Sequence, residues 1–174
     1  MLFGAMLMTS CGADSGDGTP KGMKLASSDA ASYRFYVPDT WQCDVASGAT
    51  TAYYSATDTS NVNVMAFTLE NSDSDVSEWW SSYTEDFKKV YEDFEVISET
   101  ESVLDGAAAT KFVFTGALTH DGAKEVYKFM QIAAVHRNTL SAPEVYVITY
   151  TSSPDSYDSH IDEVEKMIAN FKFN

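Results

Sequence analysis

Few residues in this chain are of a kind that does chemistry, and their spacing narrows the options further. There are two Cys, three His and 26 acidic residues among 174. Cys43 sits in the apolar stretch Trp41–Val45, with neither a His nor a helix start beside it to lower its pKa. It is therefore expected to be a small buried hydrophobe and not a nucleophile. His120 stands next to the turn pair Asp121-Gly122, His136 at the end of a strand, and His160 on a helix. They are expected to be solvated, since a shared metal would need two or three of them to converge. Asn71-Ser72-Asp73-Ser74-Asp75 places oxygen ligands at alternate positions, as a calcium loop does. It lacks that loop's turning Gly, and Ser82 stands where the bidentate Glu belongs, so Asp75 reads better as a helix cap. Nucleotide-binding Gly loops, a nucleophile elbow and a His-Glu-x-x-His zinc motif are all missing. No metal and no cofactor are expected. A carboxylate pair for glycoside hydrolysis is defined by separation in space, and nothing in the sequence marks one.

The remaining cysteine has a more informative setting. Met1 to Met8 is an apolar run that leads through Thr9 and Ser10 to Cys11 and Gly12. This resembles the end of a bacterial lipoprotein signal peptide, with Leu7 one place further upstream than the usual pattern. The resemblance implies a lipid on Cys11. No Lys or Arg precedes Lys21, so the positive segment of such a signal is missing, and an in-frame upstream extension carrying Lys or Arg is expected. Residues 12–32 are rich in Gly, Ser, Asp and Ala without an apolar period, which predicts a flexible tether. The chain thus divides into 1–10 (signal remnant), 11–32 (lipid attachment and tether) and 33–174 (one folded domain).

Apolar periodicity supplies the elements of that domain. Tyr33–Val37 alternates and stops at Pro38-Asp39; strands are predicted again at 41–46, 50–55 and 61–69. Asp75 and Glu78 form a capping box for a helix. Val76, Trp79, Trp80, Tyr83, Phe87, Val90, Tyr91 and Phe94 form one helical stripe. Paired Trp and Tyr could be a sugar-stacking platform, but strict helical spacing favours a core-facing stripe. Strands follow at 95–104, 107–118 and 124–135, separated by the turn pairs Asp105-Gly106 and Asp121-Gly122. Glu144–Thr151 is β-branched and aromatic and should be a central strand. Ser153-Pro154 opens a last helix with the stripe Tyr157, Ile161, Val164, Ile168 and Phe171. Short connections predict a mainly antiparallel sheet with helices packed on it, an α+β domain.

The opening Tyr33-Arg-Phe-Tyr-Val-Pro-Asp-Thr-Trp41 resembles the start of PsbP/Mog1-like domains, as do the acidic-aromatic helix, the hairpin at 105–110 and the close Ile168–Phe173. That resemblance covers 33–174 and implies an antiparallel sheet flanked by helices on both sides, an α/β/α sandwich. It also implies an accessory or binding protein and not an enzyme.

Net charge is −15, and the first 32 residues contribute only −1 of it. The acidity belongs to the domain's surface and argues against nucleic acid as partner, because phosphate binding needs clustered Lys and Arg. The expectation is a non-catalytic module, lipid-anchored on the outer face of a bacterial cell membrane, that binds a protein partner or assists assembly at the envelope. The alternative is a binder of a small ligand or glycan in an aromatic-lined cleft beside the sheet, and behind it a carboxylate-based hydrolase. Tyr53 and Tyr54 are the candidate ligand-binding residues.

Overall fold

A computed structural model of the chain describes residues 18–46, 49–69, 75–137 and 142–174. Three short strands open it: β1 (Met23–Leu25), β2 (Tyr33–Arg34) and β3 (Tyr36–Pro38). Then come β4 (Gln42–Ala46), β5 (Ala49–Tyr53), β6 (Asn61–Thr68) and helix α1 (Val76–Val90). The rest is β7 (Glu92–Leu104), β8 (Ala107–His120), β9 (Ala123–His136), β10 (Glu144–Ser152), helix α2 (Pro154–Ala169) and β11 (Lys172–Phe173). Seven strands form one sheet in the order β4-β5-β6-β10-β9-β8-β7, with every neighbouring pair antiparallel. The predicted central strand, β10, is the middle one of the seven.

Each face carries its own core. One face of the sheet (Ala52, Val62, Val64, Ile132, Ile148, Tyr150) is closed by α2, through Tyr157, Val164, Met167 and Ile168, and by the opening strands. The other face (Phe112, Phe114, Phe129, Val145, Val147) packs under α1. The alternation Val62/Val64 against Asn63/Met65 follows from this two-sidedness, since successive side chains of a strand point to opposite faces. Trp80 lies flat on Phe112, with ring centroids 3.8 Å apart and planes 14° off parallel. The helix stripe is therefore core, except at Val90, which is 62% exposed.

Capping agrees with the sequence. Glu78 N donates to Asp75 Oδ1 at 2.9 Å, and Ser156 N donates to Ser153 Oγ at 3.2 Å. The turns at 105–106 and 121–122 have positive φ at both residues (45° and 82°, 51° and 80°). That is the two-residue hairpin geometry Asp-Gly favours.

Four expectations need correction. The stretch 12–32 is a structured part of the domain from residue 18 onward: β1 pairs with β3, Ala26 is buried, and Phe35 N donates to Ser27 Oγ at 3.2 Å. Local composition could not show this, because the bonds are made to residues eight or more positions away. The single opening strand is split, β2 pairing with β11 and β3 with β1. The α1 stripe ends early: Tyr91 is extended (φ −103°, ψ 127°) and Asp93 has φ 50°, so Phe94 already belongs to β7. Tyr91 and Phe94 still pack beside Phe87 and Phe114 (4.3 and 5.5 Å between centroids), so the spacing tracked the core and not the helix. Tyr91 also explains Gly116 within β8, where an added Cβ would come within 2.9 Å of the Tyr91 Cβ. Finally, Cys43 is exposed, on edge strand β4.

Candidate functional site

α1 is shorter than the sheet is wide. It packs against β7, β8 and β9, and no other helix lies on that face among the described residues. The cross-strand register places Gln42 and Asp44 of β4, Thr51 and Tyr53 of β5, and Asn61, Asn63 and Met65 of β6 side by side there, while Phe67, next on β6, packs into the α1 core. Their counterparts on the other face are buried: Thr50, Ala52, Val62 and Val64 are all at most 2% exposed. On the α1 side Tyr53 is 42% exposed and Met65 38%, and the Asn pair is half-buried. Among the described residues, the β4–β6 half of this face is thus bare. A strand face that carries Asn, Thr, Gln and Tyr in place of Val and Ile is one the sequence does not commit to a core.

Two hollows lie on this face. The larger, about 860 Å³, opens at the end of β10 and is lined by Gln42, Tyr53 and Asn61 on one side and by Glu125, Val126 and Tyr127 on the other. Tyr127 donates to Glu125 Oε2 at 2.6 Å, which fixes that side chain at the wall. The smaller, about 150 Å³, lies against α1 between Met65, Val147, Thr149, Tyr83 and Phe87. Behind it, buried Gln131 donates through Nε2 to Tyr83 Oη (3.1 Å) and Thr149 Oγ1 (3.0 Å). Desolvation raises the Tyr83 phenol pKa, offset in part by the Gln131 hydrogen bond, so the group stays a neutral hydroxyl.

The two candidate tyrosines part company. Tyr53 lines the large cleft, and Tyr54 is half-buried, its ring 3.9 Å from that of His160 and 5.7 Å from that of Trp41. Tyr54 belongs to a polar knot the sequence reading missed. His160 is buried and not solvated: its Nε2 lies 2.9 Å from Asp58 Oδ2 and its Nδ1 3.4 Å from Glu163 Oε2. That same Glu163 oxygen accepts from Trp41 Nε1 at 3.1 Å. Burial by itself would raise the Asp58 carboxyl, but hydrogen bonds from Ser60 and His160 hold it below its ordinary value. An imidazole between two carboxylates is the raw material of acid–base chemistry. Here both ring nitrogens are occupied, and the nearby Ser60 hydroxyl is bonded to Ser152 Oγ (2.8 Å). The knot ties the 54–60 loop to α2 and to the turn before β4. Asp58 and His160 lie 102 positions apart, and no local signal joins them.

Elsewhere, His120 is exposed beside Asp121 (3.3 Å), and His136 stacks on Phe173 (4.3 Å). The three histidines do not converge, and no group of three metal-ligating side chains occurs among the described residues. Asp75 is the α1 cap; the rest of the Asn71–Asp75 cluster, and Cys11, lie outside the described residues. Partial desolvation raises the Cys43 thiol pKa against the pull of Lys24, the opposite of what a nucleophile needs.

Solved structures supply the comparison. LpqN of Mycobacterium tuberculosis, described as involved in cell envelope biogenesis, superposes with a TM-score of 0.63 at 16% identity, over 82% of this chain and 83% of its own. The cyanobacterial PsbP of Synechocystis gives 0.62 at 14% identity, over 94% and 99%. The fold is PsbP/Mog1-like. The Ran-binding protein Mog1p of Saccharomyces cerevisiae shares it at a TM-score of 0.52 and 15% identity, over 87% and 95%. No protein-family model matches the sequence, and no curated protein matches it. At these identities the PsbP/Mog1-like proteins share an architecture with this chain. No helix among the described residues is long and apolar enough to cross a membrane.

Proposed function

We propose that this chain is a non-catalytic module held at the outer face of a bacterial cell membrane by a lipid on Cys11, where it binds a protein partner or assists assembly at the envelope. The observation that carries the binding role is the bare half of the sheet. A domain that buries Thr50, Ala52, Val62 and Val64 on one face and leaves Tyr53, Met65 and a row of amide and hydroxyl side chains uncovered on the other presents a mixed surface of interface composition. The envelope setting draws on the Cys11 context and on the description of LpqN as involved in cell envelope biogenesis. Mog1p, described as a Ran-binding protein, is a precedent for protein binding on this architecture. The cleft lined by Tyr53 and Tyr127 is the one observation that favours a small-ligand or glycan reading instead.

A photo-crosslinking amino acid placed at Met65 should capture one defined neighbour in intact cells, and the same probe at Val103, exposed on the far edge strand β7, should not. Equal capture from both positions, or from neither, would refute the reading. For the anchor, a radioactive fatty acid should label the wild-type chain and not Cys11→Ser; equal labelling of the two would remove it.

A further inference from the structure

The large cleft has the shape of a missing strand. β10 pairs with β9 only as far as Ser152 opposite Lys128, and the chain then turns at Ser153-Pro154 into α2. β9 continues for five more residues, Ala123–Tyr127, paired among the described residues with β8 on one side alone. Up to Thr151, β10 lies between β9 (at Phe129) and β6 (at Asn61), so beyond its end the cleft between β9 and the far wall of Tyr53 and Asn61 continues the lane of one strand.

The hairpin register shows which backbone groups face this gap. The two-residue turn Asp121-Gly122 makes His120 and Ala123 a hydrogen-bonded pair. Such pairs alternate along an antiparallel ladder, so Glu125 with Leu118 and Tyr127 with Gly116 exchange bonds across to β8. The N–H and C=O of Lys124 and of Val126 therefore point away from β8, into the cleft. Lys128, next in the same alternation, is where β10 pairs. The other edges of the sheet are less receptive: β7 carries a row of acids and two register breaks, and β4 is a short outer strand.

We propose that the cleft binds an extended segment of a partner protein, which adds to β9 at Lys124 and Val126 as a continuation of β10. This rests on the protein-partner reading and deepens it. Main-chain bonds supply the affinity in this mode of recognition, and side-chain pockets the choice of sequence. Tyr53 and Tyr127 offer ring faces to alternate side chains of the incoming segment. Among the described residues the one charged side chain in the lining is Glu125, on a chain of net charge −15, and Lys124 is already paired with Asp93 (2.5 Å). The segment is therefore neutral to basic.

The test uses the isotope-labelled full chain and three capped hexapeptides of the same β-prone pattern: KVTVYK, its Thr-flanked neutral form and its Glu-flanked acidic form. The Lys form should bind at least tenfold more tightly than the Glu form. On binding, amide exchange at Lys124 and Val126 should slow tenfold or more, while Glu125 and Tyr127, already bonded to β8, should not change. N-methylation at alternate residues of the peptide should abolish binding. Val126→Pro removes an N–H that faces the cleft and should do the same. Because that variant could disturb β9 itself, the N-methylated peptide, which leaves the protein untouched, is the deciding control. No binding at millimolar peptide, binding without protection of Val126, or equal binding of the N-methylated form would each overturn the proposal. So would chemical-shift changes at Tyr53 and Tyr127 produced by maltohexaose or chitohexaose and not by the peptides, since the cleft would then be a sugar site. A partner captured from Met65 together with an unprotected Val126 leaves the protein-partner reading standing and this inference refuted; failure of the Met65 capture refutes that reading separately.

Discussion

Replacing Trp80 by Ala separates the core reading of the α1 stripe from the sugar-platform reading. Trp80 is 8% exposed, lies flat on Phe112 at 3.8 Å, and touches Phe114 and Tyr83 at 5.5 and 6.0 Å between centroids. Its removal opens a void under a helix anchored on three strands, and a buried Trp or Phe cut to Ala costs about 3–5 kcal/mol. With a urea slope of about 2 kcal/mol/M, the unfolding midpoint should drop by about 2 M. For a chain of this size the Tm should fall by roughly 6–20 °C. Trp79 is the internal control. It is half-buried and stacks on Tyr83 at 4.8 Å from the outer side, so Trp79→Ala should cost about 1–2 kcal/mol. The assay is urea unfolding followed by far-ultraviolet circular dichroism, which does not depend on the tryptophans removed. The core role of the stripe fails if Trp80→Ala unfolds within 1 kcal/mol of the wild type, or if Trp79→Ala costs as much. It also fails if oligosaccharides quench tryptophan emission in the wild type and lose that effect in Trp79→Ala, because the stripe would then be serving a ligand.

Other expectations bear on the knot, the tyrosines and the acid limit. His160→Ala leaves Asp58 and Glu163 without their shared partner; these carboxylates are partly exposed, so the loss should be about 1–3 kcal/mol by urea unfolding, and a neutral result would mean that water replaces the imidazole fully. Tyr53→Ser should leave stability within about 0.5 kcal/mol of the wild type, whereas Tyr54→Ala, which strips a ring from His160 and Trp41, should cost about 2 kcal/mol; equal effects would refute the division between the two. Burial would raise the Asp105 carboxyl, but hydrogen bonds from Lys172 and from Phe173 N hold it below its ordinary value, and Asp58 is likewise lowered. A lowered folded pKa stabilises above the unfolded value, about 3.9, and that contribution is lost as pH falls through the folded one. Acid unfolding should therefore begin below about pH 4 and be shallower in Asp105→Asn; an unchanged acid limb would show that the β11 clamp is energetically silent.

The elements themselves were legible in local pattern. Asp-Gly pairs need positive φ and so mark hairpins, Ser153-Pro154 and Asp75 cap helices, and the Glu144–Thr151 run of β-branched and aromatic residues could only be covered on both faces. Periodicity was misleading at the end of α1, because Tyr91 and Phe94 reach the same core from an extended chain as they would from a helix. It was silent on β1, whose residues become ordered only against β3.

For the site the division is sharper. The sequence by itself determined that the domain is acidic, that Cys11 stands in a lipoprotein-like context, that the aromatic stripe from Val76 belongs against a sheet, and that Tyr53 lies on a strand. Those are properties of single residues and of near neighbours, where side-chain chemistry and backbone propensity act directly. Only the tertiary structure decided that Cys43 is exposed, that His160 is buried between carboxylates brought from two elements, and that Tyr53 and Tyr54 face different surroundings. It also decided that β10 stops five residues short of β9 and that, among the described residues, α1 leaves half a sheet face bare. These depend on strand order and register, which arise from the free energy of packing both faces of the whole sheet at once and leave no trace in any one segment.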